Sequence, residues 1–304
     1  MKQRTDSVLV IVVTYNAMRW AQRCFDSVLA SDVKCDLFIV DNCSTDGTQE
    51  FIRQNYPSAM FTQSKENLGF GRANNLGLRY ALDNGYDYCY LLNQDAWIFP
   101  DTIGTLIVVN KKHPNYGILS PMQMEANMER LDDGFCAALL NPENEDGKTL
   151  ESDLYFDTPR DAYSVKEIQA AHWLISRKCL ETVGGFSPTF KHYAEDYNYT
   201  NRASYHKIKT VVVPTARAVH DRELRPFPTA KKIYFVHTFV LWNLSAIYNR
   251  PKCLFTRIAF WNMKALVKYR SFEVVKNAAK ELVEIWVIRR NRKASMNVGP
   301  TFLC

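Results

Sequence analysis

The chain has 304 residues, 47% of them hydrophobic and 23% charged, with a formal net charge of +6. These proportions exclude disorder over most of the length and leave room for one large domain or two modest ones. The charge is split by sign. From Thr229 to the end 14 Lys and Arg stand against 3 Asp and Glu, net +11, while the first 228 residues carry −5.

The N-terminus shows an apolar run of only six residues, Val8 to Val13, and no small-residue cleavage site, so no signal peptide is expected. The stretch SVLVIVVTYN (7–16) is β-branched, continuous and ended by polar residues, the pattern of a buried strand. RWAQRCFDSVLAS (19–31) spaces Trp20, Cys24, Val28 and Leu29 as a helix does. DLFIVDN (36–42) is a second strand, STDGTQEFIRQNY (44–56) a helix opened by capping residues, and AMFTQSKEN (59–67) a third strand. GFGRANNLGLRYALDNG (69–85) is a Gly-rich turn leading into a helix, and DYCYLLNQD (87–95) a fourth strand. Strands alternating with helices imply βαβ units and a parallel sheet, whose ligands bind beyond the carboxyl ends of the strands. Polar residues gather at those ends: Thr14-Tyr15-Asn16, Asp41-Asn42 and Asn93-Gln94-Asp95.

From 121 to 165 the pattern weakens into an acidic, loop-like stretch expected to be a mobile flap or insertion. Regularity returns at 168–186 as a strand, a helix and a Gly-Gly turn. Residues 191–220 read as a loop, a helix starting near Glu195 and a strand over Lys209–Val213. From 229 onward helices dominate. The longest uncharged apolar run, 233–249, is short for a membrane span and contains His237, Asn243 and Asn249. The eight cysteines (24, 35, 43, 89, 136, 179, 253, 304) never form C-x-x-C, which argues against a zinc ribbon or redox pair and for reduced thiols in a cytosolic protein.

No P-loop, complete dinucleotide fingerprint, H-E-x-x-H or G-x-S-x-G occurs. Four acidic or basic features remain, each with a plain alternative. Asp41 is either a turn carboxylate or an acceptor for a base or ribose. Asp95 is either a turn acid or the carboxylate ligand of a divalent cation whose other oxygens come from a substrate diphosphate. Glu195-Asp196 either complements a helix dipole or supplies a general base. His220 is either structural or, beside Asp95, a metal ligand.

In order along the chain, VIVVTYN, IVDNCSTDGT, NLGFGRANNLG, YLLNQDA, LISRKCLETVGGF, YAEDYNYTNRA and VVVPTARAVH resemble the family 2 glycosyltransferases over about residues 7–222, and within them bacterial cell-surface polysaccharide enzymes of the rhamnosyltransferase-like kind. The resemblance implies an α/β GT-A fold, a Rossmann-like, mostly parallel central sheet flanked by helices, with a basic helical C-terminal extension. It implies a catalytic domain over 1–228, its nucleotide half about 1–100 and its acceptor half about 101–228, followed by a helical region over 229–304. Thr14, Tyr15, Asn16, Asp41, Asn67, Gly69, Arg72 and Asn93 would border the nucleotide, with Asp41 accepting from the base. Asp95 and His220 would hold Mg²⁺ or Mn²⁺, Asn93 standing where the family's first metal-motif Asp falls. Asp196, beside Glu195, would be the base, and Trp173, Gly184, Gly185 and His192 would shape the sugar and acceptor pocket. Asn198, where relatives often carry an acid, would alter the helix start or the acceptor rim.

The implied activity is inverting, metal-dependent transfer from a dTDP- or UDP-sugar to a glycan or polyprenyl-diphosphate-linked acceptor. The alternative is a catalytically silent sugar-nucleotide-binding subunit of an assembly complex. The basic aromatic tail suits contact with the inner face of the cytoplasmic membrane, or else a homodimer interface. Nucleic-acid binding is disfavoured because the basic residues lie on apolar helices without a reading motif.

Overall fold

A computed structural model describes residues 6–141, 144–222, 228–247 and 254–303; Cys253, Cys304 and Asn249 lie outside them. The first part of the chain runs β1 (Val8–Thr14), α1 (Ala21–Leu29), β2 (Cys35–Asp41), α2 (Thr48–Asn55), β3 (Met60–Gln63), α3 (Phe70–Asp83) and β4 (Tyr88–Asn93). Then come β5 (Ala96–Ile98), α4 (Thr102–Lys112), β6 (Tyr116–Met124), α5 (Asp133–Leu139), α6 (Glu145–Tyr155), β7 (Tyr163–Val165), β8 (His172–Ser176), α7 (Arg177–Val183), α8 (Glu195–Tyr205) and β9 (Lys209–His220). Three helices close the chain: α9 (Thr229–Ser245), α10 (Leu254–Tyr269) and α11 (Phe272–Ala294).

The strands form one sheet in the order β3-β2-β1-β4-β8-β6-β9-β5, with β7 also on β9. The N-terminal part, β3-β2-β1-β4, is parallel throughout. Beyond it the sheet is mixed: β8 runs antiparallel to β4 and β6, β9 is parallel to β6, and β5 is antiparallel to β9.

Strand alternation explains the two cores. Leu9 and Ile11 face one helical layer with Phe38, Val40, Leu78 and Leu91, while Val8, Val10 and Val12 face the other with Phe25, Val28, Ile39 and Leu92. A strand buried on both faces must read as the continuous apolar run that β1 is.

Two expectations are corrected here. The stretch 121–165 is not a loop-like flap: its described residues are the end of β6, two short helices and β7. Likewise β9 does not stop at Val213. It continues past Pro214 through a register shift, in which Pro121 pairs Val213 and Met122 pairs Arg217. Proline is tolerated at such irregularities, and the continuation carries His220 opposite Ala96 on β5.

The last three helices pack through Val240, Leu241, Leu244, Ile258, Ile285 and Ile288, joined by Phe190 from the segment between α7 and α8. Buried Glu281 accepts from His237 Nδ1 and from Asn262 Nδ2, each at 2.7 Å, so one carboxylate links all three helices. The chain then returns to the sheet: Gly185 N–H donates to the Thr301 carbonyl at 2.8 Å, and Leu303 is buried in the catalytic core. Among the described residues no helix is long and apolar enough to cross a membrane.

Candidate active site

The parallel register sets Thr14 beside Asp41. Asp41 is fully buried, and both of its oxygens are taken. Thr14 Oγ1 (2.9 Å) and Ser44 Oγ donate to Oδ1, and Ser44 N–H (2.9 Å) and Gln49 Nε2 (3.0 Å) to Oδ2. A nucleobase N–H would have to displace one of these donors. Asn16 is left-handed at φ 51°; its Oδ1 accepts from Thr45 N–H at 2.9 Å. The exposed Tyr15 is held by its backbone, which exchanges two hydrogen bonds with the Gln94 side chain at 2.6 and 3.2 Å. Gln94 thus straps the tips of β1 and β4 together.

On the far rim, Asn67 Oδ1 accepts from Gly69 N–H at 2.9 Å. Gly69 has φ 79°, and a Cβ there would sit 1.9 Å from the Lys191 carbonyl oxygen. Only glycine allows this close approach of the helix start to the loop that leads into α8. Arg72 is exposed, 4.0 Å from Glu66.

At the centre, Asp95 follows β4, and its carbonyl accepts from Asp221 N–H at 2.8 Å. Its Oδ1 lies 3.5 Å from His220 Nε2. Burial would raise the proton affinity of Asp95, but the His220 hydrogen bond and charge, with Arg222, hold it below the ordinary carboxylate range. Asn93 is half-buried beside it as the last residue of β4. Behind His220 stands Asp132, a residue not singled out from the sequence: its Oδ2 is 3.9 Å from His220 Nδ1 and 3.0 Å from Arg222 Nε. Its one sequence signal is the acid at the helix start in LDDGF, where it caps α5 by accepting from Phe135 N–H at 2.7 Å.

No cluster of three or more His, Cys, Asp or Glu among the described residues has metal-holding geometry. The Asp95–His220 pair nevertheless suits a divalent cation. Two ligands at about 2.1 Å from one ion lie about 3 Å apart when adjacent, close to the observed 3.5 Å. An oxygen donor beside an imidazole is a donor set that Mn²⁺ or Mg²⁺ accepts when substrate oxygens complete it.

Glu195 and Asp196 open α8, preceded by Tyr193 and Ala194, both left-handed at φ 67°. Two consecutive non-glycine residues in that region are strained, and such strain persists where the surroundings fix it. Burial raises the proton affinity of both carboxyls; Glu195 is raised further, with the Asp196 charge as second cause, while backbone N–H groups and Arg222 partly offset the effect at Asp196. Glu195 Oε2 is buried with no hydrogen-bond partner.

Three residues expected in the sugar and acceptor pocket lie elsewhere. Trp173 is fully buried on β8, stacked on Phe186 at 6.2 Å and tilted against Tyr199. Gly184 and Gly185 receive the C-terminal tail: Gly184 has φ 79°, and a Cβ there would lie 2.1 Å from the Thr301 oxygen. Only His192 remains at the surface, its carbonyl accepting from Tyr234 Oη at 3.2 Å. Asn198, buried, donates to Ser245 Oγ at 3.3 Å and ties α8 to α9, so it forms no acceptor rim.

A mixed sheet flanked by helices, with polar residues at its strand tips and a carboxylate–imidazole pair among them, is the arrangement of the GT-A fold. Residues 9–133, less than half of the chain, match the family model described as "Glycosyl transferase family 2", and the enzyme class the matches support is a glycosyltransferase. The chain is 26% identical over 239 residues, 72% of this chain and 77% of the relative, to the N-acetylglucosaminyl-diphospho-decaprenol L-rhamnosyltransferase of Mycobacterium tuberculosis. Among solved structures, the mannosyltransferase PcManGT from Pyrobaculum calidifontis, in complex with GDP-Man and Mn²⁺, shares the fold at TM-score 0.60 and 19% identity, over 94% of this chain and 76% of that one. S. aureus TarS in complex with UDP does so at TM-score 0.53 and 16% identity, over 88% and 71%.

Proposed function

We propose that this chain is an inverting, metal-dependent glycosyltransferase that uses a dTDP- or UDP-sugar, with rhamnosyl transfer in cell-surface polysaccharide assembly as the favoured case. The observation that carries the reading is the Asp95–His220 pair, 3.5 Å apart where β4 and β9 end, in a chain that also buries the acidic pair Glu195–Asp196 at the start of α8. Asp95 and His220 would hold the cation, which when bound neutralises charge growing on the leaving diphosphate. Thr14, Tyr15, Asn16, Asp41, Asn67, Gly69, Arg72 and Asn93 form the nucleotide side, Asp41 acting through the buried network it organises. Asp196 takes the proton from the acceptor hydroxyl, whose oxygen bonds to the anomeric carbon. The bond from that carbon to the diphosphate oxygen breaks on the opposite face, the leaving group keeping the electron pair, so configuration inverts.

A thermal-shift and hydrolysis screen of nucleotide sugars with Mn²⁺ or Mg²⁺ tests this. A donor at 100 times its Kd stabilises by about 2.7 kcal/mol, which in a protein of this size is about 5 °C. That shift should need the metal and come with turnover. Metal-dependent binding without turnover favours the silent binding-subunit alternative; no response to any donor overturns the reading.

The acceptor is a lipid-linked glycan, and the enzyme works at the inner face of the cytoplasmic membrane. An apolar groove of about 390 Å³ between α9 and α10, lined by Lys232, Phe235, Phe239, Trp261 and Tyr269, supports this. It adjoins the strained loop, since Phe235 packs on Tyr193 at 4.5 Å. On α11, Phe272, Val275, Val283 and Trp286 are exposed on one helical face, while Val274, Glu281, Ile285 and Ile288 are buried on the opposite one. Basic groups lie against the exposed aromatics, Lys276 over Phe272 at 5.6 Å and Arg289 over Trp286 at 5.4 Å. An apolar stripe with cations at its edges suits an anionic bilayer surface. Val283→Glu with Trp286→Glu should cut co-sedimentation with phosphatidylglycerol vesicles about tenfold. Unchanged sedimentation, or loss of self-association instead, would favour a homodimer interface.

A further inference from the structure

Asp132 is 2% exposed. A buried carboxylate is costly unless it is paired and hydrogen-bonded, and capping a seven-residue helix does not require one, because Asn or Ser caps as well. What Asp132 adds beyond the cap is a two-point fork on Arg222: Nε donates to Oδ2 at 3.0 Å and Nη2 to Oδ1 at 3.3 Å. Room for this fork is made by Gly134, where a Cβ would lie 2.8 Å from Arg222 Nη2 and 2.9 Å from Cζ. Nearly half of the Arg222 side chain (45%) stays exposed, and Nη2 also lies 3.5 Å from His220 Nδ1.

We propose that Asp132 is a positioning residue for donor binding: its buried carboxylate fixes Arg222 in the orientation from which the guanidinium engages the donor's diphosphate, and it braces the His220 ring from behind. The inference rests on the glycosyltransferase reading above. A diphosphate is the strongly anionic part of any nucleotide sugar, and a planar guanidinium recognises phosphate oxygens in pairs. Left loose at a strand end, Arg222 would sample many rotamers and lose that orientation on binding; held by the fork, it is already ordered. The segment 121–165, without a motif of its own, thereby supplies the anchor for a residue of the diphosphate side.

The test is calorimetric titration with inorganic pyrophosphate on metal-free protein, together with donor KM and kcat. Asp132→Asn keeps the cap and removes the charge; it should weaken pyrophosphate binding about tenfold, the scale of losing an outer partner of a binding group, and raise donor KM more than it lowers kcat. Arg222→Gln should do at least as much, and the double variant no more than Arg222→Gln alone, because Asp132 acts through Arg222. Gly134→Ala leaves every charge in place, improves helix propensity and crowds Arg222 out of the fork; it should weaken pyrophosphate binding at unchanged or higher Tm. If Asp132→Asn fails to fold, Gly134→Ala decides. Wild-type affinity in either folded variant, or losses that add in the double variant, overturn the inference. Turnover of a nucleotide sugar by a wild type that shows no pyrophosphate response also overturns it, and leaves the glycosyltransferase assignment standing.

Discussion

Asp196→Asn should lower kcat by about 10²- to 10⁴-fold, the range for loss of a general base, while donor affinity changes by less than about twofold, since only the transition-state interaction is removed. An acceptor hydroxyl is a very weak acid, and a carboxylate of ordinary acidity near pH 4 would be a poor proton acceptor for it. Burial at the start of α8 raises the proton affinity of Asp196, and the Arg222 cation limits the rise. Glu195 is raised further. Both carboxyls thus hold a proton more tightly than free ones do, and Asp196, the less raised of the two, is the proposed base. Two carboxyls this close titrate together, so the profile belongs to the pair.

The pH dependence follows with a definite sign. The base must be unprotonated, so kcat falls as pH drops through a midpoint above the usual carboxylate range; a raised pKa moves that midpoint up. Stopped assays over pH 4.5 to 8 on wild type and Asp196→Asn check both statements. Turnover in the variant at the wild-type rate would remove Asp196 from the role. Loss in Glu195→Gln alone would transfer it to Glu195.

The N-terminal parallel strands were legible in the sequence because they are buried on both faces. Runs such as Val8–Val13 and Tyr88–Leu92 can be little else, and each ends in the polar residues that form the rim. The same logic misled at Trp173. An aromatic next to recognisable site residues resembles a pocket wall, yet period-2 alternation on β8 turns it into the core against Phe186 and Tyr199. Gly184-Gly185 showed the need for a close approach without showing what approaches, and the answer, Thr301, is more than 100 residues away. Asp132 and Arg222 carried no motif, since their pairing depends on β9 continuing past Pro214, where pattern alone ends the strand. The helices α5 and α6 run for only seven and eleven residues, too few turns of periodic signal to distinguish them from a loop.

Asp95→Asn should abolish metal dependence and lower kcat/KM by about 10³-fold, some 4 kcal/mol of transition-state stabilisation, in keeping with the several attributed to a Lewis-acid cation. The substitution is nearly isosteric, and Asp95 holds the fold through its backbone carbonyl to Asp221, so Tm should change little. Its neighbour in sequence supplies the contrast. Leu91 is fully buried in the core, and Leu91→Ala should cost about 2–5 kcal/mol of stability while leaving the activity of each folded molecule intact. Comparing Mn²⁺ titrations of activity with thermal melts for the two variants separates chemistry from folding at positions four residues apart. His220→Ala belongs in the same series. It removes the imidazole 3.5 Å from Asp95 but leaves a carboxylate and the donor's own oxygens, so the Mn²⁺ concentration for half-activity should rise about 10- to 100-fold without metal dependence being lost. An Asp95→Asn enzyme with an unchanged Mn²⁺ curve would show that the strand-tip carboxylate binds no cation, and would reduce the Asp95–His220 contact to a structural hydrogen bond.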